Sequence, residues 1–173
     1  MGEDRARNED EDGRLTPAGA KAREDDDMTG LLLVALLVGL VLPLQAGINS
    51  QLRIHVGHPL WAALVSFSVG TCVLALVLAV TRVGWPEAGW VGRVPWWQWT
   101  GGLLGATFVT SSIVLAPRLG AAVLIATVVA GQMVGSLFVD HYGAVGYPQH
   151  AVSVSRVVGV ALIVAGVALI QYR

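Results

Sequence analysis

The sequence predicts an all-α membrane protein, a bundle of five transmembrane helices preceded by a disordered acidic tail. Two observations carry that prediction. Past Met28 only eight charged side chains remain: Arg53, Arg82, Glu87, Arg93, Arg118, Asp140, Arg156 and Arg173. Most of the apolar stretches between them reach the roughly 20 residues that a helix needs to cross about 30 Å of hydrocarbon. The composition agrees, with 54% hydrophobic and 13% charged residues and a mean hydropathy of +0.64.

The net charge of -1 hides a division. Residues 1–27 carry ten acids and five bases, which leaves two acids and six bases for residues 28–173. The tail holds Glu9-Asp10-Glu11-Asp12 and Glu24-Asp25-Asp26-Asp27, with almost no large apolar side chain. Such a segment buries too little surface to offset chain entropy, so disorder is expected. It is not the basic start of a secretory signal, and the apolar run behind it is too long for one. We expect a dispensable tail, or a start at Met28. No basic cluster exists to neutralise phosphates, so nucleic acid is excluded as a partner. The single cysteine, Cys72, lies in an apolar run and reads as a small packing residue.

The expected spans are 28–49, 60–81, 96–116, 119–140 and 153–172. Only helices and closed barrels satisfy their backbone in lipid. Barrel strands are about ten residues long and alternate in polarity, which these runs do not. Pro117, Arg118 and Gly120 make the third connection a tight turn, so spans three and four form an antiparallel hairpin. Trp85, Trp90, Trp96, Trp97 and Trp99 mark a headgroup layer, or alternatively an aromatic cage for a cation.

Five spans put the two termini on opposite sides of the bilayer. Arg14, Lys21, Arg23, Arg82, Arg93 and Arg156 fall on the N-terminal side, against Arg53, Arg118 and Arg173 on the other. That places the N-terminus inside. Without the tail the two sides balance, as in a protein that inserts either way. Small residues pair at helix-packing spacing: Gly101 with Gly105, Gly131 with Gly135, and Ala161 with Ala165. These contacts lie within one chain or between chains.

Polar side chains at depth are the candidate substrate pathway. Gln45 and Asn49 share one face of span one, behind a kink at Pro43. Thr107 and Ser111 do the same on span three. Gln132 and Ser136 do so on span four, in a row that Asp140 closes. They line a polar pathway, or they join helices by hydrogen bonds worth about 0.6 kcal/mol each. Asp140 shares its side of the membrane with Arg82, Arg93 and Arg156, and any of these is a possible partner. Arg118 sits at the far end of span four, about 30 Å away. Arg118, Asp140 and Arg156 are therefore gating or ion-pair candidates. No carboxylate lies at the centre of a span, as a proton-coupled pump usually needs. His55 and His58 have no Cys or acid to complete a metal site. No metal, cofactor or catalytic set is expected.

The segment Leu42-Pro-Leu-Gln-Ala-Gly-Ile-Asn-Ser-Gln-Leu-Arg53 resembles the first-helix motif of the bacterial YdcZ family, in the drug/metabolite transporter superfamily. The resemblance continues through Gly101-Gly-Leu-Leu-Gly105, Leu115-Ala-Pro-Arg-Leu-Gly120, Ala130-Gly-Gln132, Asp140-His-Tyr-Gly143 and Arg156-Val-Val-Gly159. It covers residues 28–173 and leaves out the acidic tail. It implies a five-helix inner-membrane exporter of a small solute, working by alternating access as a homodimer or as a heterodimer with a sister five-helix chain. Related small transporters pair antiparallel. Gln45, Asn49, Pro117, Arg118, Gln132, Asp140 and Arg156 are matched motif positions. The smallest multidrug exporters of the superfamily use a glutamate in their first helix, which span one lacks. The alternative is a non-transporting scaffold or accessory subunit of another membrane complex.

Overall fold

Helix α1 begins where the chain offers a good first turn. Proline at the first helical position sacrifices no hydrogen bond, and the alanines, lysine and glutamate after it favour further helical turns. The computed structural model describes residues 16–172, and in it α1 runs from Pro17 to Val56. The Ala20 N–H donates to the Thr16 carbonyl at 2.8 Å. The helix therefore starts well before Met28, because the second half of the tail has helix-forming residues despite its charge. Residues 1–15, on which the rest of the expected disorder falls, lie outside the described residues. The membrane-crossing part of α1 is Asp27–Val56, longer than the expected 28–49.

Pro43 lies inside α1 and has no N–H to donate to the carbonyl of Gly39. The chain divides at this proline into two compact units, Met1–Leu42 and Pro43–Arg173. In the first unit residues 17–42 are helical, and the apolar side chains from Leu31 to Val41 are exposed, as a lipid-facing surface requires.

The second unit holds the end of α1 and the remaining spans. Helix α2 is Pro59–Thr81, and α3 is the single turn Trp90–Arg93. A 3-10 turn, Trp96–Trp99, leads into α4, Thr100–Leu119. Helix α5 is Ala121–Tyr142 and α6 is Val154–Gln171. Five helices among the described residues are thus long and apolar enough to cross a membrane, the third counted as Trp96–Leu119. Among the described residues there is no strand.

Each connection has a local cause. At the start of α2 the His58 Nδ1 accepts the Leu60 N–H at 3.2 Å, and Pro59 opens the helix. Gly120 alone links α4 to α5. Its φ of 75° suits glycine, its N–H donates to Ala116 O, and its carbonyl accepts from Leu124. Gly143 ends α5 at φ 59°, where a Cβ would come within 3.3 Å of the Tyr147 carbonyl. Ser153 caps α6 by accepting the Arg156 N–H.

Pro117 departs from the expected turn. It lies inside the last turn of α4, and the helix continues to Leu119. A proline there deprives the carbonyl four residues earlier, Ile113, of its helical donor. That carbonyl is 3.3 Å from the Ser50 Oγ of α1, which also donates to Ala46 O at 2.8 Å. One hydroxyl proton is therefore shared between the two carbonyls. Ile113 is fully buried here, packed with Ala62 and Ala63 of α2 and covered by Leu52, Val56 and Val109. Elsewhere α4 packs on α2 and α5, and α5 packs on α6.

This junction sets a stability prediction. Ser50→Ala should cost about 0.6 kcal/mol, at most roughly 1.7, by leaving Ile113 O without a donor. Pro117→Ala returns an N–H to that carbonyl, so in its background Ser50→Ala should cost much less. A double-mutant cycle by equilibrium unfolding in micelles measures the difference. Equal costs in both backgrounds would show that the hydroxyl does not serve Ile113.

Candidate functional site

An amide in the middle of a span is the costliest uncharged group to leave facing lipid. Gln132 is such a group. It lies halfway along α5, about 15 Å from either end, and its side chain is exposed. Gln45 is likewise exposed, about 17 Å before the end of α1. Asn49, on the same face as Gln45, is only 5% exposed. None of the three amide side chains has a hydrogen bond among the described residues.

The hydroxyl candidates behave differently. Thr107 Oγ1 donates to Leu103 O at 2.9 Å, and Ser136 Oγ donates to Met133 O at 2.8 Å. Both are satisfied by their own helices. Ser111 is exposed, whereas its neighbour Ser112 is buried and donates to Phe108 O. No hydrogen bond joins any two of the six pathway candidates. They remain three separate pairs, on α1, α4 and α5.

The charged candidates are sorted by geometry. Arg156 Nη1 of α6 meets Asp140 Oδ2 of α5 at 3.2 Å, with the side chains 40% and 29% exposed. The loop between them folds back over the end of α5. His150 N–H donates to Asp140 O at 2.7 Å and Gln149 Nε2 to His141 O at 2.9 Å. In the second loop Arg93 pairs with Glu87 at 3.1 Å, and Trp90 stacks on Trp99 with centroids 5.8 Å apart. Arg118 is exposed beside Gly120 and has no ion pair among the described residues.

The small-residue pairs have open faces. A Cβ built at Gly101, Gly131 or Gly135 meets nothing within 4 Å, and one at Gly105 meets only Phe67 Cζ at 3.8 Å. Ala161 and Ala165 are exposed.

One cavity in the second unit was not anticipated from the sequence. It occupies about 240 Å³ between the end of α1 and the α4–α5 hairpin. Ser50, Gln51 and Arg53 provide its polar wall, and Pro117, Leu124 and Ile125 are among its apolar lining. The signal lay in Asn49-Ser50-Gln51, where three consecutive polar residues necessarily point in different directions around a helix.

The Asp140–Arg156 pair is partly solvated, so its net worth is small, about 1 kcal/mol or less. Asp140→Asn should lower the unfolding free energy by no more than that. The exchange Asp140→Arg with Arg156→Asp should recover most of the loss, read by unfolding in micelles. A loss of several kcal/mol for the single change would mean that the pair is effectively buried.

Comparisons with known proteins place this arrangement. The family model described as "Putative inner membrane exporter, YdcZ" matches residues 30–169. The chain is 30% identical over 155 residues to the inner membrane protein YdcZ of Escherichia coli (strain K12), covering 86% of this chain and 98% of that protein. No solved structure matches the chain at a significant level. That description is of a membrane exporter, which is not an enzyme class. The match over residues 30–169 and that alignment, with five apolar spans among the described residues, show that the chain belongs to the YdcZ family of multi-pass inner-membrane proteins.

Proposed function

We propose that this chain is one subunit of a dimeric exporter of a small solute, which moves its cargo by alternating access along a pathway that two subunits enclose. The observation that carries the reading is Gln132, an exposed amide at the middle of a membrane-crossing helix. Lipid offers it no hydrogen bond. A second subunit, or water held between two subunits, supplies one. Transporters built from two pseudo-symmetric halves hold substrate near the midplane at such a junction.

Three further features support it. Gly131 and Gly135 flank Gln132 on α5 and have open space where a neighbouring helix would sit. Membrane helices associate by close backbone approach at small residues. Buried apolar side chains are few among the described residues, so most helix surface stays free for lipid and partner. The basic residues of the second unit lie near both ends of the spans, Arg82, Arg93 and Arg156 at one and Arg53 and Arg118 at the other. That distribution suits an antiparallel copy or a sister chain of opposite orientation.

Gln45→Ala and Gln132→Ala should each abolish export from proteoliposomes or cells while leaving membrane insertion intact. Normal transport by both variants would remove these amides from the pathway. Gly131→Leu should shift the protein from dimer to monomer by native mass spectrometry in detergent. A wild-type protein that stays monomeric in lipid nanodiscs yet transports would overturn the two-subunit pathway.

A further inference from the structure

The cavity beside Arg53 has a charge that no ion pair among the described residues neutralises. In residues 43–172 the only acids are Glu87 and Asp140. Each already holds an arginine, Glu87 with Arg93 at 3.1 Å and Asp140 with Arg156 at 3.2 Å. Arg53 is half-buried at the cavity wall, and no carboxylate is among the cavity's lining residues. A guanidinium in a partly apolar recess is stabilised by an anion, and it offers a planar fork of donors suited to carboxylate or phosphate.

The neighbouring polar groups complete a directional site. The Ser50 hydroxyl proton is committed to the carbonyls of Ala46 and Ile113. The donors left to a ligand are the Arg53 guanidinium and the Gln51 amide, both in the polar wall. The opposite side, with Pro117, Leu124 and Ile125, is apolar. At about 240 Å³ the cavity falls below the roughly 300–1,000 Å³ of sites that enclose drug-sized molecules. Arg53 also lies in the last turn of α1, where a positive charge favours the helix dipole. That accounts for a base at this end of the helix. It does not account for a recess with an apolar far wall.

We infer that this cavity binds a small amphiphilic anion, its carboxylate or phosphate held by Arg53 and Gln51 and its apolar body against Pro117, Leu124 and Ile125. Only the step that makes this anion the exported solute rests on the export reading; the binding site itself does not. A cation finds no carboxylate among the lining residues, and a neutral solute leaves the charge of the guanidinium uncompensated.

The test uses the full chain in an uncharged detergent, with benzoate as the probe and benzylammonium and benzyl alcohol as controls at equal ionic strength. Benzoate should raise the melting temperature in proportion to the logarithm of its concentration once saturating, and the controls should not. Arg53→Gln should weaken the benzoate response at least tenfold, and Arg53→Lys should retain part of it. Gln51→Ala should weaken it less, and Arg118→Gln, outside the cavity, should leave it unchanged. Native mass spectrometry with phosphatidylglycerol separates the two sources of such an anion. Arg53-dependent retention of that lipid, without a benzoate response, supports the site and makes its occupant a lipid headgroup. Equal responses to benzoate and benzylammonium overturn the inference. So does a benzoate response or lipid retention that Arg53→Gln leaves intact, or the absence of both. Export of a cationic solute with neither a benzoate response nor lipid retention rejects the anion site and leaves the export reading standing. Benzoate binding by a protein that transports nothing does the reverse.

Discussion

The second unit turns on a single carbonyl. Pro117 withholds the donor that Ile113 O would have inside a regular helix, and in lipid no water replaces it. Ser50 approaches it at 3.3 Å from another span. The contact fixes the depth of α1 against α4, since a slip of one residue would turn the hydroxyl about 100° away. Ser50 and Pro117 both line the recess beside it. That recess lies between the end of α1 and the α4–α5 hairpin. Fold and candidate site therefore share Ser50.

The rest of the chain obeys the bilayer as solvent. Threonine and serine hydroxyls along the spans mostly return their protons to carbonyls one turn back, as at Ser68, Thr71 and Thr107. Such side chains need no partner outside their helix. Glutamine at the midplane is different, because an amide cannot be satisfied by one backbone carbonyl. The distinction separates the polar residues that their own helix satisfies from Gln45 and Gln132, which have no hydrogen bond among the described residues. Thr107 and Ser136, equal members of the pathway by sequence, fall in the satisfied class by their bonding.

Much of the fold is legible in the sequence. Wide charge spacing locates the spans, and Gly120 marks the hairpin between the third and fourth. Helix ends are less legible, because lipid-crossing length and helical length are different quantities. Polar residues such as those before Met28 and after Asn49 can continue a helix beyond the apolar run. Pro117 reads as a helix breaker because its rescue by Ser50 comes from a residue 63 positions away from Ile113 in the chain. The cavity is hidden for the same reason. Ser50 and Arg53 look ordinary beside Gln45 and Asn49 until α4 and α5 are packed against their face.

The two ends of the second unit are joined by different contacts. At the Asp140 end an ion pair, a folded-back loop and two loop-to-helix hydrogen bonds tie α5 to α6. At the Arg53 end one shared hydroxyl proton and a small apolar core join α1 to α2 and α4, and a cavity lies open beside them. A single copy is thus asymmetric across the membrane. Alternating access requires that each membrane face be able to open and to close. In an antiparallel pair, each face would carry one tied end and one end with a cavity, so the pair would present the same chemistry to both sides. A parallel pair would concentrate the cavities on one face. Under the proposed two-subunit reading, the asymmetry of the single chain is the physical reason to favour opposite orientations.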